Sequence, residues 1–309
     1  MVVFVSRMVC YYPIPVWYEK ALTDAGRKRL TFKRPLSWTG KRHYIPCGQC
    51  VGCRLEKSRQ WAVRCMHEKQ MHRHSAFVTL TYDPKEMPEG GSLRKRDLQL
   101  FMKRLRFKYG NGIRFYACGE YGDEFGRPHY HLLLFNLRFP DAKLWKESKG
   151  RPLYTSAELR ELWPYGFNYI GEVTFESCAY VARYILKKVT GGIAADHYQV
   201  LTLDGEIIDR EPEFTVMSRR PGIAAGWFDR YHSTVYDFDS VVLRGKEMRP
   251  PRFYDIRFEL LDTMRMDAIK IERRKRAILN KEDNTSDRLR VRELISLAKL
   301  HRFQQRKFE

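Results

Sequence analysis

The hydrophobic and polar positions fall into blocks of different period, and each block predicts an element. From residue 54 to about 74, Trp61, Ala62 and Cys65 share a stripe while Arg54, Lys57, Arg64 and Lys69 lie off it, which is a helical pattern. Residues 76–83 are β-branched and aromatic and end at Asp83-Pro84, which predicts a strand. A second helix follows, with Leu98, Phe101, Met102 and Leu105 at helical spacing and Ser92 as its expected cap. Residues 113–121 and 127–135 read as an antiparallel hairpin with a connection over 122–126. Ser156, with Glu158 behind it, opens a short helix through Leu159, Leu162 and Trp163, and a strand follows Gly166 over 167–173. Residues 174–189 predict a helix with an apolar stripe of Cys178, Val181, Ala182, Ile185 and Val189. Tyr180 and Tyr184 are one turn apart, nearly opposite that stripe, with Lys187 on their side. Beyond 191 a hairpin turns at Asp204-Gly205, a basic turn spans 217–222, and from about 253 the chain is charged and mostly helical. No internal repeat is present, and composition divides the chain near 75 and 190: a Cys-rich module (1–75), a central domain (76–190) and a basic C-terminal region (191–309).

The strand over 127–135 is the one on which the rest is organised. Side chains alternate faces along a strand, so His129 and His131 point one way and Tyr130 the other. Two imidazoles on one face of a strand buried on both sides make a rigid clamp for a divalent metal, although histidines also recur at this spacing with no metal role. Glu120 lies near the turn on the outgoing strand and can complete a triad across the hairpin. Asp123 and Glu124 compete with it from the loop, and any of the three can equally be a surface acid.

Composition narrows the partner. The formal charge is +20, from 57 Lys and Arg against 37 Asp and Glu, which favours a polyanion. Aromatic residues make up 14% of the chain, and aromatics interleaved with Arg and Lys stack single-stranded bases while neutralising phosphates. The candidate DNA contacts are Arg94, Arg96, Lys103, Arg104, Arg127, Arg183, Lys188, Arg219 and Arg220. There is no run of 18 apolar residues to span a bilayer, and Pro13, Pro15 and Glu19 interrupt the start where a signal peptide needs an apolar core. The expectation is a cytoplasmic protein without a membrane partner.

Seven cysteines, an odd number, do not suit a secreted disulfide framework. Cys47, Cys50 and Cys53 have the spacing of a metal knuckle, with Gly48 and Gly52 for its tight turns, and Cys10 or His43 can supply a fourth ligand to a structural Zn²⁺. The other reading is a Gly-rich loop of reduced, unliganded thiols.

These groups suggest one chemistry. A metal held by two neutral histidines and a carboxylate keeps open positions for substrate oxygen. A tyrosine hydroxyl aligned with a phosphodiester can attack it, forming a phosphotyrosine and freeing a 3′ hydroxyl. A second tyrosine one helical turn away suits repeated nicking and joining, and Lys187 can steady phosphate charge or assist with the phenol proton.

His129-Tyr130-His131 followed by Tyr180-Val181-Ala182-Arg183-Tyr184-Ile185-Leu186-Lys187 resembles the HUH endonucleases that initiate rolling-circle replication, and residues 76–83 are similar to their first motif. The paired tyrosines, the cysteine knuckle and the 217–222 turn resemble in particular the replication initiators of the gokushovirus-type Microviridae. The resemblance implies an α+β fold with a five-stranded antiparallel sheet and flanking helices, and Mg²⁺ or Mn²⁺ on His129, His131 and a carboxylate, for which it supports Glu120. It implies Tyr180 and Tyr184 as nucleophiles and a single-stranded or supercoiled phage origin as substrate. It further implies the bacterial cytoplasm as location, with a host helicase and replication machinery as partners. A tyrosine followed three residues later by lysine is the family's single-tyrosine pattern, which Tyr184 fits, whereas Arg183 takes that place after Tyr180. Relaxases, which share the chemistry, carry their tyrosine ahead of the histidines; here it follows.

Overall fold

The computed structural model describes residues 9–22, 28–32, 38–122, 125–148, 150–183, 189, 192, 194–201 and 204–305. Compactness divides the chain differently from composition: Met1–Lys57 with Asp262–Glu309 form one unit, and Ser58–Leu261 the other.

In the first unit β1 (Ile14–Leu22), β2 (Lys28–Thr31) and β3 (Trp38–Ile45) make a three-stranded antiparallel sheet with β1 in the middle. Val16, paired with His43, is its one buried apolar residue among the described side chains. The predicted helix is present as α1 (Val51–Gln70), which starts three residues earlier than its amphipathic stripe because Gly52 and Cys53 already belong to its first turn.

The larger unit is built on a seven-stranded sheet. The predicted strand near 76 is β4 (Ser75–Thr81), and the helix after it is α2 (Lys95–Tyr109). Leu98, Phe101, Met102 and Leu105 are all buried, as their spacing requires. Ser92 does not cap α2. Arg94 occupies the cap position without a side-chain bond, while the Ser92 hydroxyl donates to the Leu93 carbonyl and accepts from the Glu211 N–H. The hairpin is β5 (Arg114–Tyr121) and β6 (Pro128–Phe135), joined over six residues rather than five, since Gly122 N–H bonds to the Arg127 carbonyl and closes the loop there.

Next come β7 (Lys143–Ser148), β8 (Arg151–Thr155), α3 (Ala157–Leu162) and β9 (Asn168–Gly171). The Ser156 hydroxyl accepts from Leu159 N–H at 3.0 Å, so the predicted cap of α3 forms. Helix α4 (Phe175–Arg183) covers the first half of the predicted 174–189 helix; residues 184–188 lie outside those described. Helix α5 (Ala194–Tyr198) leads into a hairpin of β10 (Gln199–Leu201) and β11 (Ile207–Asp209), turning at Asp204-Gly205 as expected. Strand β12 (Phe214–Met217), helix α6 (Ala225–Phe238), the small hairpin of β13 (Val241–Leu243) and β14 (Lys246–Met248), and α7 (Arg252–Leu261) complete this unit. Helices α8 (Thr263–Leu279) and α9 (Ser286–Gln305) belong to the first unit.

The sheet order is β12-β5-β6-β4-β9-β8-β7, and every pairing is antiparallel. The class is therefore α+β, with a sheet of seven strands and not five. Two edges account for the difference: β12 comes from the region beyond 190, and β7 is exposed at every position, so it carries no buried/exposed alternation to announce it. Strand β6 is buried along nearly its whole length between β5 and β4, as its apolar run predicts. One face of the sheet, with Val78, Leu80, Tyr130, Leu132 and Leu134, packs on α2 and on Leu159, Leu162 and Trp163. The alternate residues, including Phe77, Thr79, Cys118, Glu120, His129 and His131, therefore lie on the other face.

Candidate active site

Register decides what meets on that second face. Glu120 of β5 pairs directly with His129 of β6, and Cys118 with His131; on the other flank Thr79 and Thr81 of β4 pair with His131 and His129. Directly opposed side chains sit about 5 Å apart at Cβ, close enough for a carboxylate to reach both rings. His129 Nε2 lies 2.7 Å and His131 Nε2 3.0 Å from Glu120 Oε1. Glu120 is 1% exposed and His131 4%, so the cluster is held by the core. Asp123 and Glu124 lie outside the described residues.

The rings are fixed from behind. His129 Nδ1 meets the Arg127 carbonyl at 3.0 Å, and His131 Nδ1 meets Thr79 Oγ1 at 2.9 Å. Phe77 stacks on His131 at 5.5 Å between centroids. Thr79, Phe77 and the Arg127 carbonyl are supporting groups that the sequence did not single out, because only the pairing of β4 with β6 brings the first two to the histidines.

This donor set fits a divalent cation. Adjacent donors on an octahedron of about 2.1 Å radius lie about 3.0 Å apart, and the three ligand atoms here lie within 4.8 Å of one another, with two separations of 2.7 and 3.0 Å. A carbonyl on Nδ1 makes that nitrogen of His129 the protonated one, which turns the lone pair of Nε2 toward Glu120 Oε1. Two acceptors then face each other, an arrangement that a cation relieves. Burial by itself raises the Glu120 carboxyl, but the hydrogen bonds and charges of His129 and His131 outweigh it and hold the group down to about 2, so it is ionised.

Helix α4 brings Tyr180 to the same place. Its start is tied by a reciprocal pair, Thr174 N–H to Ser177 Oγ at 2.8 Å and Ser177 N–H to Thr174 Oγ1 at 3.2 Å. Cys178, Val181 and Ala182 are buried as their spacing predicts, and Ser177 and Ala179 are buried with them. Tyr180 is half-buried; its ring stands edge-on to His131 at 5.1 Å and its hydroxyl donates to Glu120 Oε1 at 3.3 Å. Tyr184, Lys187 and Lys188 lie outside the described residues.

The basic candidates are scattered around this cluster. Arg94, Arg96 and Lys103 are exposed on or beside α2, which covers the face of the sheet opposite the histidines. Arg104, on the same helix, is half-buried, with Nε donating to the Leu162 carbonyl at 2.9 Å. Arg127 is exposed beside the cluster and donates to the Tyr82 carbonyl at 2.9 Å; Arg183 is half-buried at the end of α4. Arg219 and Arg220 are exposed in the turn after β12, where Ser218 N–H bonds to the Phe115 carbonyl at 2.9 Å. That is five residues along β5 from Glu120, or about 17 Å.

A second group of donors lies in the smaller unit, where Cys10, Cys47, Cys50 and Cys53 come together and His43 does not join them. No described helix is long and apolar enough to cross a membrane.

A family model for "replication-associated protein ORF2" matches residues 75–189, the stretch that carries the Glu/His/His cluster and α4. The chain is 35% identical over 289 residues to the "Replication-associated protein ORF2" of Spiroplasma virus 4, covering 87% of this chain and 86% of the relative. It is 36% identical over 220 residues to "Replication-associated protein VP4" of Bdellovibrio phage phiMH2K, covering 68% and 66%, and 33% identical over 162 residues to "Replication-associated protein ORF4" of Chlamydia phage 1, covering 49% and 40%. No solved structure matches the chain. With a relative matched along most of both lengths and a family model centred on the histidine sheet, the chain belongs to the replication-associated proteins of the microviruses and has a role in phage replication.

Proposed function

We propose that the protein initiates rolling-circle replication as an HUH endonuclease, nicking and rejoining one strand of the phage origin through a 5′-phosphotyrosine. The observation that carries this reading is convergence: Tyr180 hydroxyl, His129 Nε2 and His131 Nε2 all meet one oxygen of buried Glu120, so a nucleophile and a metal-type donor set share one spot. Glu120, His129 and His131 would hold Mg²⁺ or Mn²⁺, which when bound polarises the scissile phosphate and offsets charge growing on its oxygens. Tyr180 or Tyr184 attacks phosphorus through its phenol oxygen; the P–O3′ bond breaks, the 3′ oxygen leaves and takes a proton, and the 5′ phosphate stays esterified to the tyrosine. Lys187 steadies phosphate charge or accepts the phenol proton. The second tyrosine, or the freed 3′ hydroxyl, then reverses the ester and joins the strand. The net charge of +20 and the exposed Arg94, Arg96, Arg127, Arg219 and Arg220 support single-stranded or supercoiled phage DNA as the partner, met in the cytoplasm of the bacterial host beside its helicase and replication machinery.

The test is incubation with origin single strand and Mn²⁺. A denaturation-stable protein–DNA adduct is expected, mapping to Tyr180 or Tyr184, and the doubly substituted Tyr180→Phe/Tyr184→Phe protein should bind DNA without forming it. If wild-type protein binds the strand but gives no adduct with any divalent metal, it is a non-enzymatic single-strand binding protein. If the double variant still forms adducts, the nucleophile lies elsewhere.

A further inference from the structure

The four-cysteine group has no part in the nicking chemistry, yet it is built as carefully as the histidine site. Its Sγ atoms lie within 4.8 Å of one another, with Cys47–Cys53 and Cys10–Cys50 each at 4.0 Å. Four thiolates around Zn²⁺ at about 2.3 Å occupy corners about 3.8 Å apart, whereas a disulfide needs about 2.05 Å, and all four cysteines are free.

Backbone amides are aimed at the sulfurs. Cys47 N–H points at Cys10 Sγ (3.2 Å) and Cys50 N–H at Cys47 Sγ (3.3 Å), while Tyr11 and Cys53 N–H both reach Cys50 Sγ (3.4 and 3.5 Å). Donors of this kind stabilise thiolate over thiol, which four sulfurs on one ion require. The approach of the Cys10 strand is also specified in sequence. A Cβ on Gly52 would lie 1.9 Å from the Val9 carbonyl oxygen and 2.9 Å from the Tyr11 ring, so only glycine lets the two segments meet. Gly48, at φ +77°, makes the turn between Cys47 and Cys50. His43 is held on β3, where its ring stands 4.7 Å from that of Tyr18.

The physical need for an ion is visible in the same unit. Strands β1–β3 lie between Cys10 and Cys47, and among their described side chains only Val16 is buried, far too little core for an independent sheet. Tyr11, Tyr12 and Tyr44, beside the ligands, line a cavity of about 890 Å³ with Leu289 and Arg290 of α9. Tyr11 and Tyr12 hydroxyls bond to Ser296 and Glu293 of that helix at 2.6 and 2.5 Å. Fixing Cys10 and Cys47 therefore fixes both walls.

We propose that Cys10, Cys47, Cys50 and Cys53 bind one Zn²⁺ as a tetrathiolate, with Cys10 and not His43 as the fourth ligand, and that this ion replaces a hydrophobic core in holding β1–β3 to the base of α1 and to α9. Protein purified without chelator should contain about one zinc per chain. Exchange of zinc for Co²⁺ should give the intense visible bands of a tetrahedral all-sulfur site. Cys10→Ser should weaken zinc by more than the ~10–100-fold that loss of a supporting residue brings, whereas His43→Ala should retain it. Stripping zinc from the wild-type chain should expose residues 9–50 to protease before the histidine sheet, a readout that does not depend on any variant folding. Glu120→Gln should keep its zinc, which separates this site from the histidine cluster. Absence of zinc, a Co²⁺ spectrum with a nitrogen ligand, loss of zinc in His43→Ala, or unchanged proteolysis after stripping overturns the proposal.

Discussion

Thr79→Val tests whether His131 works as a metal ligand oriented by its neighbour. The substitution keeps the β-branched shape on a fully ladder-bonded strand, so packing is conserved and one hydroxyl is lost. That hydroxyl lies 2.9 Å from His131 Nδ1 in a place where Thr79 is 3% exposed. When Nε2 of His131 binds a cation its proton must sit on Nδ1, and in the variant this buried N–H has no acceptor. An unsatisfied buried donor costs about 1–3 kcal/mol, and because the metal-free ring can shift its proton to Nε2, facing Glu120, the penalty falls mainly on the bound state. At about 1.4 kcal/mol per tenfold, the Mn²⁺ affinity should drop by a factor of roughly 5–150, while metal-free stability changes by less than about 1 kcal/mol. Calorimetric titration of Mn²⁺ and urea unfolding without metal read the two separately. Thr81→Val is the matched control: Thr81 opposes His129, but its hydroxyl donates to the Phe167 carbonyl at 2.7 Å, so Mn²⁺ affinity should not change. Equal affinities for wild type, Thr79→Val and Thr81→Val would refute the assignment of His131 as a ligand held through Nδ1.

Three further outcomes follow from the packing. His67 is buried, stacked on Trp227 at 3.6 Å and bonded to the Tyr254 hydroxyl at 2.8 Å, and burial pulls its pKa down to about 3. The unfolded chain, with a pKa near 6.5, therefore binds a proton the folded chain refuses. Stability from this residue is full above about 6.5 and declines as pH falls toward 3, by about 2 kcal/mol at pH 5, a decline that urea unfolding should find missing in His67→Gln. Buried Glu68 accepts from Ala224 N–H and pairs with Arg114 and His72; those donors overcome burial and lower its pKa, and Glu68→Gln should cost about 3 kcal/mol in denaturant unfolding, with less than about 1 kcal/mol arguing against a structural pair. At Gly166 a Cβ would lie 2.4 Å from the Asp83 nitrogen and 2.7 Å from the Thr81 carbonyl, so Gly166→Ala should strain the bond from Asp83 N–H to the Tyr165 carbonyl and cost more than about 2 kcal/mol; a near-neutral midpoint shift would show that this backbone yields.

Much of the histidine sheet is readable in the chain because its signals are local. A period of 2 with an apolar run marks β4, β5 and β6, and a period of 3.6 with four large apolar residues marks α2. The Ser156 cap and the Asp204-Gly205 turn are likewise short-range chemistry. The edge strands are not readable for the opposite reason: β7 buries nothing, and β12 is four residues whose partner lies about a hundred positions earlier in the chain. Ser92 has the local chemistry of a cap, but its hydroxyl is taken by Leu93 and Glu211, and α2 starts uncapped.

Which residues could act was a matter of local pattern. Alternation put His129 and His131 on one face, helical period set Tyr180 away from the apolar stripe of α4, and close spacing grouped three cysteines. Which of those groups meet was left to the folded chain. The pairing Glu120↔His129 chose the carboxylate beside the histidines, and β4 supplied Thr79 behind His131. The close approach at Gly52 brought Cys10, not His43, to the knuckle. Packing of α2 on the other face of the sheet carried its basic residues away from the histidines. The difference is one of range: a side chain's direction is a property of its own backbone, but register, partner and face are relations between distant segments, settled by the burial that all of them achieve together.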